Sequence, residues 1–287
     1  MKIASNRIGD IIRFFKQELK ELYGEAELNT IISWCFEAFL NLNRTQLMLK
    51  SDQTVSESEL LKFNFAVKDL KQQKPIQYIL GEADFYRRKF IVNGHVLIPR
   101  PETEELADLI IRENRGKEHL KILDIGTGSG CIAVTLAKEL TGSEVLALDI
   151  SHDAIDVARR NSEKHNAGIN YFTADILDPD FSPPAALDII VSNPPYITVS
   201  EKNAMAKNVL DYEPHLALFV AGKDPLLFYR RIADIAIRAL RKNGSLYFEV
   251  NSSLGPETQH LLEKKGFKNV KLFKDLSDNN RILRGNI

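Results

Sequence analysis

The sequence predicts an α/β chain in two parts: a small N-terminal helical domain followed by a doubly wound, mostly parallel sheet. Three observations carry this expectation. Apolar residues recur at the helical period through about residue 75, apolar runs alternate with helical patterns from residue 120 onward, and a glycine-rich turn follows the first of those runs.

Ile8, Ile11, Ile12, Phe15, Leu19 and Leu22 mark the first helix, and Ile31, Ile32, Trp34, Cys35, Phe36, Phe39 and Leu40 a second that is apolar over much of its girth. Ser56 followed by Glu59 reads as a capping box that opens a third helix through Leu60, Leu61, Phe65, Val67 and Leu70. The expected domains are residues 1–75, helical; 76–98, a linking β-hairpin with its turn at Asn93-Gly94; and 99–287, the sheet domain. In the last, a helix over 102–112 precedes strand 120–125, helix 130–140, strand 144–149, helix 153–165, strands 169–174 and 187–192, helix 224–240, strand 244–250, helix 256–265 and strands near 269–274 and 280–285.

Composition narrows the function. The chain has 287 residues with 38 Lys+Arg against 39 Asp+Glu, a balance that argues against holding nucleic acid mainly through a broad basic surface and leaves a local basic patch open. The helical leader is balanced too, with 11 basic and 10 acidic residues through residue 80, and direct sequence-specific nucleic-acid binding is not expected. Two cysteines, Cys35 and Cys131, are too few for a disulfide framework and fit a reducing compartment. The charged opening segment does not read as a signal peptide, and no 18-residue uncharged apolar run exists, so a cytoplasmic protein without membrane contact is expected. His95, His119, His152, His165, His215 and His260 show no metal-ligand spacing, so no metal is expected. Glu249 reads as a strand-end carboxylate with local hydrogen bonds, and Arg238, Arg241 and Lys242 as compensation of a helix dipole.

The run Lys121 to Gly130 is a strand entering the turn Gly126-Thr127-Gly128-Ser129-Gly130. Its glycines allow a sharp bend and close backbone approach to a ligand. The spacing departs from a dinucleotide fingerprint, and the Lys-Ser/Thr pair of a phosphate-binding loop is missing. Asp149, at the end of the next strand, can accept from a ribose diol, and Asp175, after the third, from an adenine amino group. An isolated Asp at such a point is as readily a cap. Together the three positions favour an adenosine ligand without phosphates, which S-adenosylmethionine fits best.

The fourth strand ends in Asn193-Pro194-Pro195-Tyr196, which faces the same crevice if the sheet is doubly wound. Prolines present carbonyls without competing N–H donors, and Asn193 before proline is held extended. The Asn193 side-chain carbonyl and the Pro194 backbone carbonyl can accept both protons of a planar NH2 group, with Tyr196 free to pack on it. A bare Asn-Pro reads as a loop; four matching residues at this place are more specific.

These features resemble the HemK/PrmC-type peptide chain release factor glutamine methyltransferases, over nearly the whole chain. The resemblance rests also on Pro75 to Gly81 with Phe85, on Leu97-Ile98-Pro99-Arg100-Pro101-Glu102-Thr103-Glu104, and on Tyr212-Glu213-Pro214 with Leu218. It implies a Rossmann-like S-adenosylmethionine-dependent methyltransferase domain with a small N-terminal helical domain that grips the release factor. The implied reaction methylates the side-chain amide of the glutamine in the factor's Gly-Gly-Gln motif. By the same resemblance Gly126, Thr127, Gly128 and Gly130 line the cofactor's methionine part, Asp149 binds its ribose, and Ser129 belongs to the same cofactor site. Asp175, Asn193, Arg100 and Glu102 also border the cofactor, and Asn193, Pro194, Pro195 and Tyr196 hold the glutamine. The same chemistry on a ribosomal-protein glutamine or a DNA adenine is the alternative, and a cofactor-binding protein without turnover is another. Ile176 stands where some family members have Trp, and Asp278 and Asn280 replace a Gly and an Asp of the family pattern near the C-terminus.

Overall fold

A computed structural model describes residues 5–198, 202, 207–220, 222 and 224–287. The chain divides into two compact units. In chain-order numbering, the first contains α1 (Ile8–Leu19), α2 (Glu25–Leu40), α3 (Arg44–Leu49), α4 (Glu57–Lys71), α5 (Ile76–Leu80) and, from later in the chain, α9 (Lys207–Tyr212).

The expected capping box is present. Ser56 N donates to Glu59 Oε2 at 2.8 Å while Glu59 N donates to Ser56 Oγ at 3.3 Å. An equivalent box between Asn43 and Gln46 opens α3, a helix the hydrophobic pattern does not announce. The core of this unit is aromatic: Phe63 lies with its ring centroid 4.5 Å from Phe36 and 6.1 Å from Phe15, all fully buried. Phe63 and Ala66, rather than Leu61 and Phe65, face inward; Phe65 is 62% exposed.

The second unit opens with β1 (Glu82–Phe85) and β2 (Arg88–Ile91), followed by α6 (Pro101–Asn114), β3 (Lys121–Ile125), α7 (Cys131–Glu139), β4 (Glu144–Asp149) and α8 (His152–Lys164). It continues with β5 (Ile169–Thr173), β6 (Leu187–Ser192), α10 (His215–Leu218), α11 (Leu227–Ala239), β7 (Leu240–Glu249), α12 (Gly255–Lys264), β8 (Lys268–Lys274) and β9 (Asn280–Asn286). Among the described residues one seven-stranded sheet forms in the order β5-β4-β3-β6-β7-β9-β8, parallel from β5 to β7 and antiparallel where β9 enters.

Alternate strand residues point to opposite faces. Ile122, Ile189 and Tyr247 join the core beneath α6, α7 and α8, while Leu123, Ile190, Leu246 and Phe248 join the one beneath α11 and α12. Both faces are thus covered, as a parallel sheet requires.

The hairpin differs from expectation. Residues 76–80 are helical, and the turn lies at Tyr86-Arg87, which take φ of 45° and 63° to let Phe85 pair with Arg88. Asn93-Gly94 falls beyond β2. Arg241 is paired with the buried Asp188 of β6, a contact the helix-dipole reading does not include. Asp278, where the family pattern has Gly, adopts φ 64°, the backbone region Gly enters most easily. Among the described residues no helix is long and apolar enough to cross a membrane.

The inward placement of Phe63 has a direct test. In urea unfolding followed by circular dichroism, Phe63→Ala is expected to cost about 3–5 kcal/mol, and Phe65→Ser to stay within about 0.5 kcal/mol of the parent. Equal losses would contradict the assignment.

Candidate active site

β3 and β6 lie side by side, yet the strands beyond them run off in opposite directions along the sheet. Ligands of open α/β sheets bind beyond the carboxyl ends of strands at such a switch point. Here those ends are Ile125 and Ser192, which are paired in register, and the buried Ser192 Oγ donates to the Ile125 carbonyl at 2.7 Å. The glycine turn leaves from one end and Asn193-Pro194-Pro195-Tyr196 from the other.

Gly126, Gly128 and Gly130 take φ of 74°, 53° and 77°, which L side chains rarely adopt. The turn is held from the neighbouring strand: Gly126 N and Thr127 N both donate to the Leu148 carbonyl at 2.9 Å, and Gly128 N donates to Asp149 Oδ2 at 2.9 Å. Asp149 Oδ1 accepts from Ser151 N at 3.0 Å. Each carboxylate oxygen keeps a second acceptor position for a ligand hydroxyl. Burial raises the Asp149 carboxyl above its ordinary value despite these amides.

Beneath the turn, Thr127 Oγ1 donates to Asp124 Oδ2 at 2.7 Å. Asp124 is fully buried, and burial, aided by the nearby Asp149 charge and opposed by the Thr127 bond, pushes its carboxyl up to about 7. The buried Asn161 secures the other side of the turn, donating to the Ser129 carbonyl at 2.9 Å while exchanging bonds with the Ile91 backbone.

A cavity of about 360 Å³ opens over both loops. Of the residues singled out in the sequence, Arg100, Gly126, Thr127, Gly128, Ser129, Asp149, Asp175, Asn193, Pro194 and Pro195 line it. Gly130, Glu102 and Tyr196 do not. A Cβ on Gly130 would meet Ala158 Cβ and the Tyr171 hydroxyl at 3.1 Å, so this glycine permits close packing of α7 on α8. Glu102 lies in the first turn of α6. Tyr196 packs against the apolar cluster under α11, and burial pushes its hydroxyl up to about 12. Asp175 is exposed, with Oδ1 accepting from Leu177 N at 2.8 Å; the adjacent Ile176 is buried and forms cavity wall.

Asn193 belongs to a buried chain that the motif does not disclose. Its Nδ2 donates to Thr103 Oγ1 at 3.3 Å, and Thr103 Oγ1 donates to Glu249 Oε2 at 2.6 Å. Glu249 is 2% exposed, and burial pushes its carboxyl up to about 7, against the lowering influence of Thr103 and Arg281. Thr103, Asp124, Asn161 and Glu249 are thus site residues that the sequence reading missed. For Glu249 the signal was parity: it lies two residues after Tyr247 and so on the α6 face.

The cavity suits an adenosine ligand without phosphates. Added Cβ atoms on Gly126 and Gly128 would project into open space, so these two positions leave room against bare backbone. Two carboxylates line the cavity, and Arg100, its one Lys or Arg among the described residues, is already paired with the buried Glu213 at 2.6 Å. A negatively charged wall with its cation engaged disfavours phosphate and accepts a cationic sulfonium. Among the described residues no cluster of His, Cys, Asp or Glu could hold a metal.

Residues 10–81 match the PrmC N-terminal domain family and residues 105–216 the Methyltransferase small domain family. The release factor glutamine methyltransferase of Flavobacterium psychrophilum is 48% identical over 275 residues, covering 95% of this chain and 96% of its own. The chain belongs to the release factor glutamine methyltransferase family. The family member from Bacteroides thetaiotaomicron is 41% identical over 276 residues, covering 96% of this chain and 99% of its own. Among solved structures, the T. thermophilus 16S rRNA N2 G1207 methyltransferase, in complex with AdoMet and guanosine, has a TM-score of 0.50 at 19% identity. It covers 71% of this chain and 49% of that one, a likeness of fold alone. Family membership accounts for the pairing of a helical leader with this sheet unit.

The elevated Asp124 carboxyl makes a pH prediction. The folded chain holds this proton up to about pH 7, whereas an unfolded Asp releases it near its ordinary 3.8. The contribution of this group to stability is therefore fully present below about pH 4 and is lost as pH rises through about 7. Asp124→Asn is expected to shrink the difference in urea stability between pH 4.5 and pH 8; an unchanged difference would contradict the assignment.

Proposed function

We propose that the chain transfers a methyl group from S-adenosylmethionine to the side-chain amide nitrogen of the glutamine in the Gly-Gly-Gln motif of peptide chain release factors. The observation that carries this is the position of Asn193: its amide NH2 is committed to Thr103, and its Oδ1 makes no hydrogen bond among the described residues while the residue lines the same cavity as Asp149. An acceptor so held recognises a donor NH2, such as a primary carboxamide presents.

S-adenosylmethionine supplies a methyl group already activated by its sulfonium, so that the sulfur–carbon bond breaks as the nitrogen–carbon bond forms and the amide nitrogen gives up one proton. The chain's task is then binding and alignment. Asp149 accepts from the ribose hydroxyls, the Gly126 to Ser129 backbone borders the methionine part, and Asp175 and Ile176 flank the adenine. The Asn193 and Pro194 carbonyls accept the two amide protons of the glutamine, which fixes its plane and keeps electron density on nitrogen. Tyr196 anchors the exit of this loop through its packing, and Gly130 seats α7. Glu102 stands outside the cavity and Arg100 at its wall, where Glu213 holds the guanidinium. Near-ideal alignment supplies roughly 7–11 kcal/mol of a barrier. The helical unit, with its match to the PrmC N-terminal domain, is the part assigned to gripping the protein substrate.

The reading is tested with methyl-labelled donor offered to a release factor, to its Gln→Ala version and to duplex DNA. Label on the factor that vanishes with Gln→Ala is expected; label on DNA would overturn the proposal. Asn193→Ala should lower kcat at least a hundredfold with donor affinity within threefold, and unchanged turnover would refute the orienting role. Asp149→Ala should weaken donor binding in calorimetry at least tenfold, whereas an unaltered affinity would remove the ribose assignment.

A further inference from the structure

Thr103 and Glu249 come from separate elements, the first turn of α6 and the end of β7, and meet behind Asn193. The sheet dictates this meeting. Ser192 pairs with Phe248, so Asn193 and Glu249 are the next residues along the adjacent parallel strands. Phe248 points to the α11 face and Glu249 therefore to the α6 face, where Thr103 closes the gap.

A hydroxyl has one proton to donate. In the observed arrangement that of Thr103 goes to Glu249 Oε2 at 2.6 Å, so while Glu249 is ionised Thr103 shows Asn193 only lone pairs. With its NH2 toward Thr103, Asn193 makes the observed 3.3 Å bond; turned by 180°, it would set Oδ1 against Thr103 Oγ1, acceptor against acceptor. A carboxylate is costly to bury, and this one is buried without a direct ion pair among the described residues.

We infer that Thr103 and Glu249 are positioning residues which lock the Asn193 side chain with its carbonyl toward the acceptor amide. The inference rests on the proposed acceptor role of Asn193 and extends it to the two groups behind it. Neither touches the reacting atoms. Both set the polarity of the group that does, and so favour an NH2 donor over an acceptor at that point.

The test uses Thr103→Val, which keeps the side-chain shape and removes the hydroxyl, with Thr103→Ser as the conservative control. Thr103→Val is expected to lower kcat about 10- to 100-fold, to change KM for the release factor less than threefold, and to leave donor affinity by calorimetry within threefold. Thr103→Ser should return kcat to within threefold of the parent. An independent readout is the Asn193 side-chain NH2 resonance in 15N NMR, assigned by its loss in Asn193→Ala. It should shift in Thr103→Val and hold its place in Thr103→Ser. Because this signal does not depend on turnover, it separates failure of the contact from failure of the proposed reaction. If the valine variant does not fold because Glu249 is left charged and alone, Thr103→Val/Glu249→Gln carries the same test without a buried charge. Unchanged kcat and an unmoved resonance, or a serine variant as impaired as the valine one, would overturn the inference.

Discussion

The site depends on one lateral contact, the pairing of β3 with β6 at the switch point of the sheet. These strands are far apart in sequence, and the Ser192 hydroxyl joins the last residue of β6 to the Ile125 carbonyl at the end of β3 across 67 positions. From that seam the glycine turn departs on one side and the Asn-Pro-Pro-Tyr loop on the other. A slip of one residue would reverse the faces of every side chain in β6 and carry Asn193 away from Thr103 and Glu249. β6 is buried along its whole length with apolar residues on both faces, so its polar residues mark the register: Asp188 Oδ2 accepts from Lys121 N and Ser192 Oγ donates to the Ile125 carbonyl.

The polar residues at the seam carry opposite roles in a small space. Asp149 is held by amides from the turn it helps to shape, so the cavity-lining carboxylate and the glycine conformation support each other. Asp124 and Glu249 lie deeper, each facing a single threonine hydroxyl and each raised by burial toward neutrality. Burying such groups opposes folding, a cost that sites for catalysis commonly retain. In return the threonine hydroxyls have fixed directions. At Thr103 that direction receives the Asn193 NH2, and under the proposed function it leaves the Asn193 carbonyl as the acceptor for an amide NH2.

What could be read from the sequence was local. The Ser56–Glu59 capping box, the glycine turn, Asp149 at a strand end and the Asn193 to Tyr196 element are each set by residues a few positions apart, where spacing alone is informative. The positions that escaped reading need the third dimension. Thr103 and Glu249 are separated by 146 residues and meet only once the strand order is known. The turn at Tyr86-Arg87 escaped because neither residue is Gly or Asn; the β1–β2 ladder imposes the positive φ there. Leu61 and Phe65 repeat at helical spacing yet lie outside, because Phe63, Ala66, Val67 and Leu70 already fill the inward stripe of α4. Gly130 belongs to the motif by spacing, while its surroundings, Ala158 and Tyr171, show a packing role.

Under the proposed function both loops serve one transfer, to a side-chain amide nitrogen held by Asn193. The most direct measurement offers a release factor with 15N in its glutamine side-chain amides to the protein with 13C-methyl donor, and reads the product by NMR. A one-bond 13C–15N coupling at the glutamine of the Gly-Gly-Gln motif is expected. Methyl carbon attached to any other atom of the factor, or no incorporation, would contradict it.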